Sequence, residues 1–231
     1  MAVTLASFFV KNTNVENYVV YTGYLVREAD ETFDVHNVSH IYHHSNFIGD
    51  NNMDNVAIVK VMTNFALSIA GRAIAILPNN QIKFEKTRET TCSILIHERD
   101  VFGMGIFRSL PVDLLTKEEC ADLIGLNNLT LPLLTSSFCV KPHSSSDKKV
   151  DIIQGTTCLC DGIARGIIIQ NHIGIYTRCP IPVIDIGLHT TWIRTRMINL
   201  EYVRSRSLND RKHRNLIHCF LGVLYLYNYI Y

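Results

Sequence analysis

The sequence predicts an all-β fold with barrel or sandwich packing. Short runs of β-branched and aromatic residues recur along the chain and alternate with polar turns. Asp161-Gly162 lies between two apolar runs, which is a strong signal for a two-residue β-hairpin. Only one short stretch in mid-chain and one near the end have the pattern of a helix. Many short strands with few helices are typical of β-barrels and β-sandwiches.

The strands are expected wherever β-branched and aromatic residues cluster or alternate with polar ones. The first ten residues are apolar but have no basic residue before the apolar run, so a buried strand is favoured over a signal peptide. The polar residues 45–55 predict a surface loop. Besides the two strands of the hairpin, strands are predicted over residues 18–26, 35–41, 56–62, 73–77, 91–97, 109–115, 136–140 and 182–186.

Two helices are predicted. The first covers residues 116–124, where Thr116 and Glu119 have the spacing of a capping box, in which each side chain accepts a hydrogen bond from the other residue's backbone N–H. The second begins near His189 and belongs to the end of the folded region. Both are short beside the predicted β structure.

Composition limits the classes of function. Of 231 residues 47% are apolar and 19% charged, which suits a folded core rather than disorder. A formal charge of +1 predicts no general affinity for nucleic acid or an anionic membrane. The seven cysteines lack the paired spacing of a zinc site, so disulfides formed in an oxidising compartment are the favoured interpretation.

A polar, charged stretch at residues 78–90 predicts a boundary between two halves, 1–85 and 86–197. The tail, 198–231, is first basic and then apolar. Its apolar part, 215–231, is short for a membrane span and contains His218 and Asn228. A loosely attached tail or a non-native extension is favoured over a membrane anchor.

A glycine turn precedes the hairpin. Gly155 is followed by Thr156 and Thr157, and a hydroxyl displayed at a tight glycine turn is how a serine-type nucleophile is presented. This turn suggests where a catalytic centre would lie.

The order of motifs around that turn resembles the trypsin-like (chymotrypsin-fold, S1) serine proteases. The stretches 44–47 and 54–60 look like that family's "H-P-x-Y" and "N-D-I-A-L" pair, Gln154-Gly155 resembles part of its "G-D-S-G-G-P" box, and Pro182 and Trp192 fall where its last strand and helix do. The similarity covers residues 1 to about 197 as an ordered set of partial matches.

The resemblance implies two antiparallel β-barrels with a cleft between them and a short C-terminal helix. The family's catalytic His box falls at residues 4–8, so the first strands of the N-terminal barrel are expected to be missing and that barrel incomplete. Residues 1–197 would form the peptidase domain, 1–85 contributing the partial barrel and 86–197 the second barrel and the helix.

The same resemblance places Ser7 at the general base, Asn55 at the carboxylate and Thr157 at the nucleophile. Ser7 cannot accept a proton near neutral pH, and Asn55 has no charge to orient an imidazole. Asp54 comes one residue early, and its side chain should point to the other face. Triad residues act as a unit, so we expect no catalysis. Gly155 is the candidate oxyanion-hole donor, although Thr156 replaces the family's Asp.

Asp151 falls where trypsin-type relatives carry the carboxylate that selects Lys or Arg. One interpretation is a vestigial specificity pocket for a basic side chain. The other, which we favour, is a solvated carboxylate at the end of a loop, since exposed Asp is common.

Two disulfides are implied by the family order, Cys92–Cys160 and Cys120–Cys139. Cys179 matches a family cysteine whose partner position is Ile153 in this chain. Cys158 is its alternative partner, and Cys219 is left over. The resemblance also implies secretion.

Four histidines, His36, His40, His43 and His44, lie close together in the sequence. A metal site is one interpretation. Surface and barrel-edge positions are favoured because no Cys or carboxylate stands at ligand spacing beside them. We therefore expect neither a metal nor a cofactor.

Together these observations predict a non-catalytic serine protease homologue that binds a protein or peptide in the inter-barrel cleft, as an extracellular monomer that contacts neither nucleic acid nor membrane. The alternative is a weakly active secreted serine endopeptidase that uses Thr157 with a histidine from elsewhere. A third class, a membrane-tethered homologue, depends on residues 215–231.

Overall fold

A computed structural model gives the fold of the chain. It describes residues 1–23, 33–49, 54–65, 77–78, 90–99, 105–125, 136–143, 150–170, 172–175 and 180–207. Most of the strand predicted at 73–77, the proposed boundary at 78–90 and the tail beyond residue 207 lie outside these ranges.

The described residues are mostly β. In chain order the strands are β1 (Ala2–Thr4), β2 (Val19–Gly23), β3 (Phe33–His43), β4 (Ala57–Val61), β5 (Cys92–Arg99), β6 (Gly105–Leu115), β7 (Ser137–Pro142), β8 (Val150–Ile152), β9 (Thr157–Cys160), β10 (Ile163–Ile168), β11 (His172–Ile175) and β12 (Ile181–Asp185). The helices are α1 (Lys117–Gly125) and α2 (Ile186–Ser207), with one-turn 3₁₀ helices at Ala6–Phe9 and Val15–Asn17.

Six strands close into an antiparallel barrel in the order β10-β12-β7-β6-β5-β9. The predicted hairpin joins β9 and β10: Asp161 and Gly162 both have positive φ, 51° and 74°. A two-residue turn with both central residues in this conformation matches the twist of the flanking strands. The prediction of a barrel in the second half, built around this hairpin, is confirmed.

The first half forms a four-stranded sheet in the order β1-β4-β3-β2. All three pairings are antiparallel, and β3 shifts register between Val38 and His40. The sheet is a curled half-barrel. In the described ranges there is thus one closed barrel and one open sheet, and β8 and β11 form a separate two-stranded sheet.

Both helices begin at capping interactions. At α1, Thr116 N–H donates to Glu119 Oε2 at 2.7 Å and Glu119 N–H to Thr116 Oγ1 at 3.1 Å, so the predicted capping box is confirmed. At α2, Asp185 Oδ1 accepts from Gly187 N–H at 2.8 Å. This aspartate cap starts α2 directly after β12, earlier than predicted, and the helix runs past the predicted end at residue 197 to Ser207.

One buried cluster joins the half-barrel, the closed barrel and α2. Its members, each at most 1% exposed, include Ile58 from the first sheet and Leu5 just after β1, Ile167 and Ile184 from the barrel, and Ile193 from α2. Full burial of such a side chain contributes about 1.5–3 kcal/mol. The shared core fixes the two sheets against each other and places the end of β1 beside the turn before β9.

Candidate functional site

Ser7 and Asn55 meet because β1 pairs with β4. The register Thr4 to Ala57 sets the 3₁₀ turn after β1 opposite the residues that precede β4. Ser7 N–H donates to Asn55 Oδ1 at 2.8 Å, and Asn55 Nδ2 donates to Ser7 Oγ at 3.1 Å. Asn55 is fully buried. The two positions that the resemblance assigned to base and carboxylate are therefore in contact, as a neutral hydroxyl–amide pair.

Gln154 brings the barrel side of the site to the same hydroxyl. It lies in the turn after β8, and its Nε2 donates to Ser7 Oγ at 3.3 Å. The Ser7 oxygen thus accepts from two amide groups, one from each sheet. None of the three side chains titrates in the neutral range, so this network holds no general base.

Thr157 is not displayed at the turn. It is the first residue of β9, pairs with Ile167 of β10, and is 3% exposed. Gly155 does make the expected sharp turn, with φ of +90°. The interpretation of Thr157 as a presented nucleophile is wrong, because the strand starts immediately after Thr156 and buries the hydroxyl in the barrel.

Gly155 does not provide a free oxyanion-hole donor. Its N–H donates to the carbonyl oxygen of Ile168 at 2.8 Å. Next to it, Thr156 N–H donates to Ile153 O at 3.2 Å. The assignment of Gly155 as an oxyanion-hole donor is therefore wrong, because its N–H is already bonded to the backbone of β10.

The ring of Phe8 packs closely against Gly155. A Cβ at this position would lie 2.8 Å from Phe8 Cε2 and 2.9 Å from Cζ. Phe8 follows Ser7 in the 3₁₀ turn, so the glycine lets the barrel turn approach the first sheet closely.

Asp151 is the middle residue of the three-residue strand β8, and it is exposed. Exposure suits the favoured interpretation of Asp151 as a solvated carboxylate. A role in a specificity pocket stays a prediction.

Both implied disulfides are present. Cys92–Cys160 joins directly paired residues of β5 and β9, and Cys120–Cys139 ties α1 to β7. Cys158 is a free, fully buried thiol, and burial raises its pKa to about 12. The alternative pairing of Cys158 with Cys179 is therefore wrong, because this side chain is enclosed in the barrel. Cys179 and Cys219 lie outside the described residues.

Three of the four clustered histidines contact other residues of the half-barrel. His36 is buried and bonds Thr63 Oγ1 at 2.7 Å through Nδ1. His40 stacks on Tyr42. The His43 ring stacks on Phe9, and burial lowers its pKa. His40 and His43 are exposed, which suits the favoured surface positions, whereas His36 is buried in β3.

His44 belongs to a different group. Its Nδ1 lies 3.7 Å from Asp54 Oδ1, and His189 Nδ1 lies 3.5 Å from the same oxygen. The His44 ring also contacts Trp192, with centroids 4.8 Å apart. Burial lowers the pKa of His189 to about 4, while the Asp54 carboxylate acts to raise it and His44 to lower it. At neutral pH His189 is therefore uncharged.

Sequence reasoning missed this group of two histidines and one aspartate. The sequence suggests Asp54 only as a displaced triad carboxylate. As expected for the residue before Asn55, its side chain points away from Ser7. Its φ of 55° contributes to that orientation. No sequence signal points to the group, because His44 and His189 are far apart in the chain and meet only through tertiary packing.

No family model matches this chain, and no curated protein matches it in sequence. Neither helix in the described part of the chain has an apolar run long enough to cross a bilayer. Residues 215–231, for which a membrane anchor is one interpretation of the sequence, lie outside that part.

Proposed function

We propose that this chain is a non-catalytic relative of the trypsin-like serine proteases that binds a protein or peptide between its half-barrel and its closed barrel. The observation that carries the proposal is the Ser7–Asn55–Gln154 network, a neutral hydrogen-bonded set at the junction of the two sheets. By the resemblance, Ser7 and Asn55 stand where a protease of that fold needs an imidazole base and a carboxylate.

Two further features of the described residues also argue against covalent hydrolysis. Thr157 is buried in β9, and the N–H of Gly155 is bonded within the barrel. An acyl transfer needs an activated nucleophile together with donors for the developing oxyanion. A site with neither can still bind a peptide, because binding requires only complementary surface and accessible polar groups.

The chemistry at the junction suits an uncharged peptide backbone. Ser7 and Gln154 are partly exposed, and the Ser7 hydroxyl, which already accepts two hydrogen bonds, can donate its O–H to a main-chain carbonyl. Phe8, beside them and also partly exposed, adds an aromatic surface. We therefore infer an extended peptide segment of a protein ligand as the occupant. The two disulfides favour an oxidising, extracellular setting.

The proposal is tested with the full chain and a library of fluorescent peptides, using polarisation for binding and mass spectrometry for cleavage. We expect peptides to bind and to remain intact. Gln154→Trp, which fills the junction, should weaken binding at least tenfold. Ser45→Trp, on the exposed loop after β3, is the matched control and should leave it unchanged.

Three outcomes would overturn the proposal in different ways. Cleaved peptides would overturn the loss of catalysis, and would favour the weakly active endopeptidase. Equal binding by wild type and Gln154→Trp would overturn the location of the site. A folded chain that binds no peptide in the library would overturn peptide binding as the function.

A further inference from the structure

We propose that His44, Asp54 and His189 form a binding site for a divalent transition metal of the zinc type. The three residues come from three places: the segment after β3, the segment before β4, and the first turns of α2. Their candidate ligand atoms all lie within 4.8 Å of one another. The site is independent of the proposed peptide-binding function.

The distances suit a metal better than direct hydrogen bonds. Asp54 Oδ1 is 3.5 Å from His189 Nδ1 and 3.7 Å from His44 Nδ1. N–H···O hydrogen bonds are about 2.7–3.2 Å long, so both contacts are too long. Tetrahedral Zn²⁺ with bonds of about 2.0–2.2 Å holds its ligand atoms about 3.3–3.6 Å apart. Two edges of the cluster already approach that value, and the edge between His44 and His189, which is at most 4.8 Å, must shorten to it on binding.

The cluster is not closed by hydrogen bonds of its own. His44 Nδ1 accepts only a 3.4 Å bond from Asn46 N–H, beyond the usual range. His189 is 3% exposed, and its Nε2 is buried with no hydrogen-bond partner in the described part of the chain. Buried imidazole nitrogens normally have a hydrogen-bond partner. The other nitrogen, Nδ1, has only the 3.5 Å contact to Asp54, so no hydrogen bond of normal length from the described residues holds the His189 ring.

The donor set indicates the class of metal. Two imidazoles and one carboxylate are ligands that zinc shares with neighbouring late first-row metals, whereas Ca²⁺ and Mg²⁺ prefer oxygen alone. Asp54 is 28% exposed and His44 11%, so a fourth ligand could enter from solvent. Three protein ligands with one open position is a common zinc arrangement.

Metal bound here would join the half-barrel to α2. His44 and Asp54 flank paired strands β3 and β4, and His189 is on the helix that follows the closed barrel. The site is also one residue from Asn55 and its bonds to Ser7. Bound metal would therefore stiffen the junction between the two sheets.

The test uses the folded full chain, freed of metal with a chelator, with exposed thiols alkylated and both disulfides intact. Zn²⁺ is titrated against a chromophoric chelator. We expect one equivalent to bind and the melting temperature to rise. Asp54→Asn and His189→Asn should each lower affinity at least tenfold. His40→Asn, an exposed histidine that stacks on Tyr42, is the control and should have no effect.

Co²⁺ provides a second measurement. Substitution should give a visible d–d band of tetrahedral type without a thiolate charge-transfer band. If His189→Asn does not fold, Asp54→Asn and His44→Asn decide, since both positions are partly exposed. Absence of stoichiometric binding by wild type, or binding that Asp54→Asn and His44→Asn leave unchanged, would overturn the site.

Discussion

At the contact between Ser7 and Asn55, two uncharged side chains satisfy each other at the junction of the two sheets. The buried amide of Asn55 gives Ser7 an acceptor for its N–H and a donor for its hydroxyl. A charged pair in the same place would need a full set of compensating bonds to offset its desolvation. The neutral pair therefore joins the turn after β1 to the segment before β4 with hydrogen bonds and no titratable group.

We expect Asn55→Ala to destabilise the chain by about 1–3 kcal/mol, because Ser7 N–H would lose its acceptor in a buried site. Urea unfolding followed by circular dichroism measures the change. Asn12→Ala is the matched control, since the bond from Asn14 N–H to Asn12 Oδ1 is exposed and water can replace it. An equal loss in both variants would contradict a structural role for the Asn55 network.

A second residue-scale prediction concerns Cys158. Because burial raises the pKa of this thiol to about 12 and leaves it 0% exposed, iodoacetamide should not modify it in the native chain at pH 7–9. Unfolding in denaturant with the disulfides intact should make it reactive. Site-resolved mass spectrometry compares the two conditions, and rapid native modification at Cys158 would show that the barrel does not enclose it.

The sequence predicted the contacts of single residues best where those residues belong to a motif. The family-like order predicted both disulfides and the pairing of position 7 with position 55. It could not predict that Gly155 N–H bonds Ile168 O, because this depends on where β9 begins. His189 joins His44 only through tertiary packing, so their distance along the chain hid the contact.

Among the elements, β10 packs closely against β12 at Gly166. It lies between β9 and β12, and Gly166 is paired with residues of both. A Cβ on Gly166 would lie 2.6 Å from the backbone oxygen of Ile184 and would clash with the Val183 side chain. The absence of a side chain at this position lets the neighbouring strand approach.

We expect Gly166→Ala to cost about 1–3 kcal/mol or more, because a backbone oxygen cannot move aside as a side chain can. Gly49→Ala is the control: a Cβ there meets nothing within 4 Å, and the change should stay within about 0.5 kcal/mol. Denaturant unfolding measures both. Adding Val183→Ala to Gly166→Ala should not restore stability, and full rescue would mean that the side chain alone caused the strain.

Local sequence signals predicted element type better than element length. The hairpin turn and the capping box follow from residues within four positions of one another, and both are formed. The bounds of β6 and α2 differ from prediction: β6 starts at Gly105, and α2 starts at the Asp185 cap. Pairing with β5 extends β6, and the Asp185 cap inside a buried apolar run starts α2.

At the scale of the whole molecule, one buried cluster joins the unequal halves, and each half also has a buried cluster of its own. The closed barrel satisfies its strand edges by closure, whereas in the described ranges the half-barrel has β1 and β2 at its edges. Residues of the half-barrel, the barrel and α2 pack in a single cluster. The first sheet is therefore stabilised by the second, and the junction between them carries the candidate site.

The central proposal is that this junction does not perform covalent hydrolysis. The most direct measurement is reaction of the folded full chain with a fluorophosphonate probe, read by intact mass and peptide mapping, beside an active trypsin-like protease as positive control. We predict no added mass on the chain, because Thr157 is buried and no base contacts Ser7 in the described network. Stoichiometric labelling at Thr157 would contradict the account.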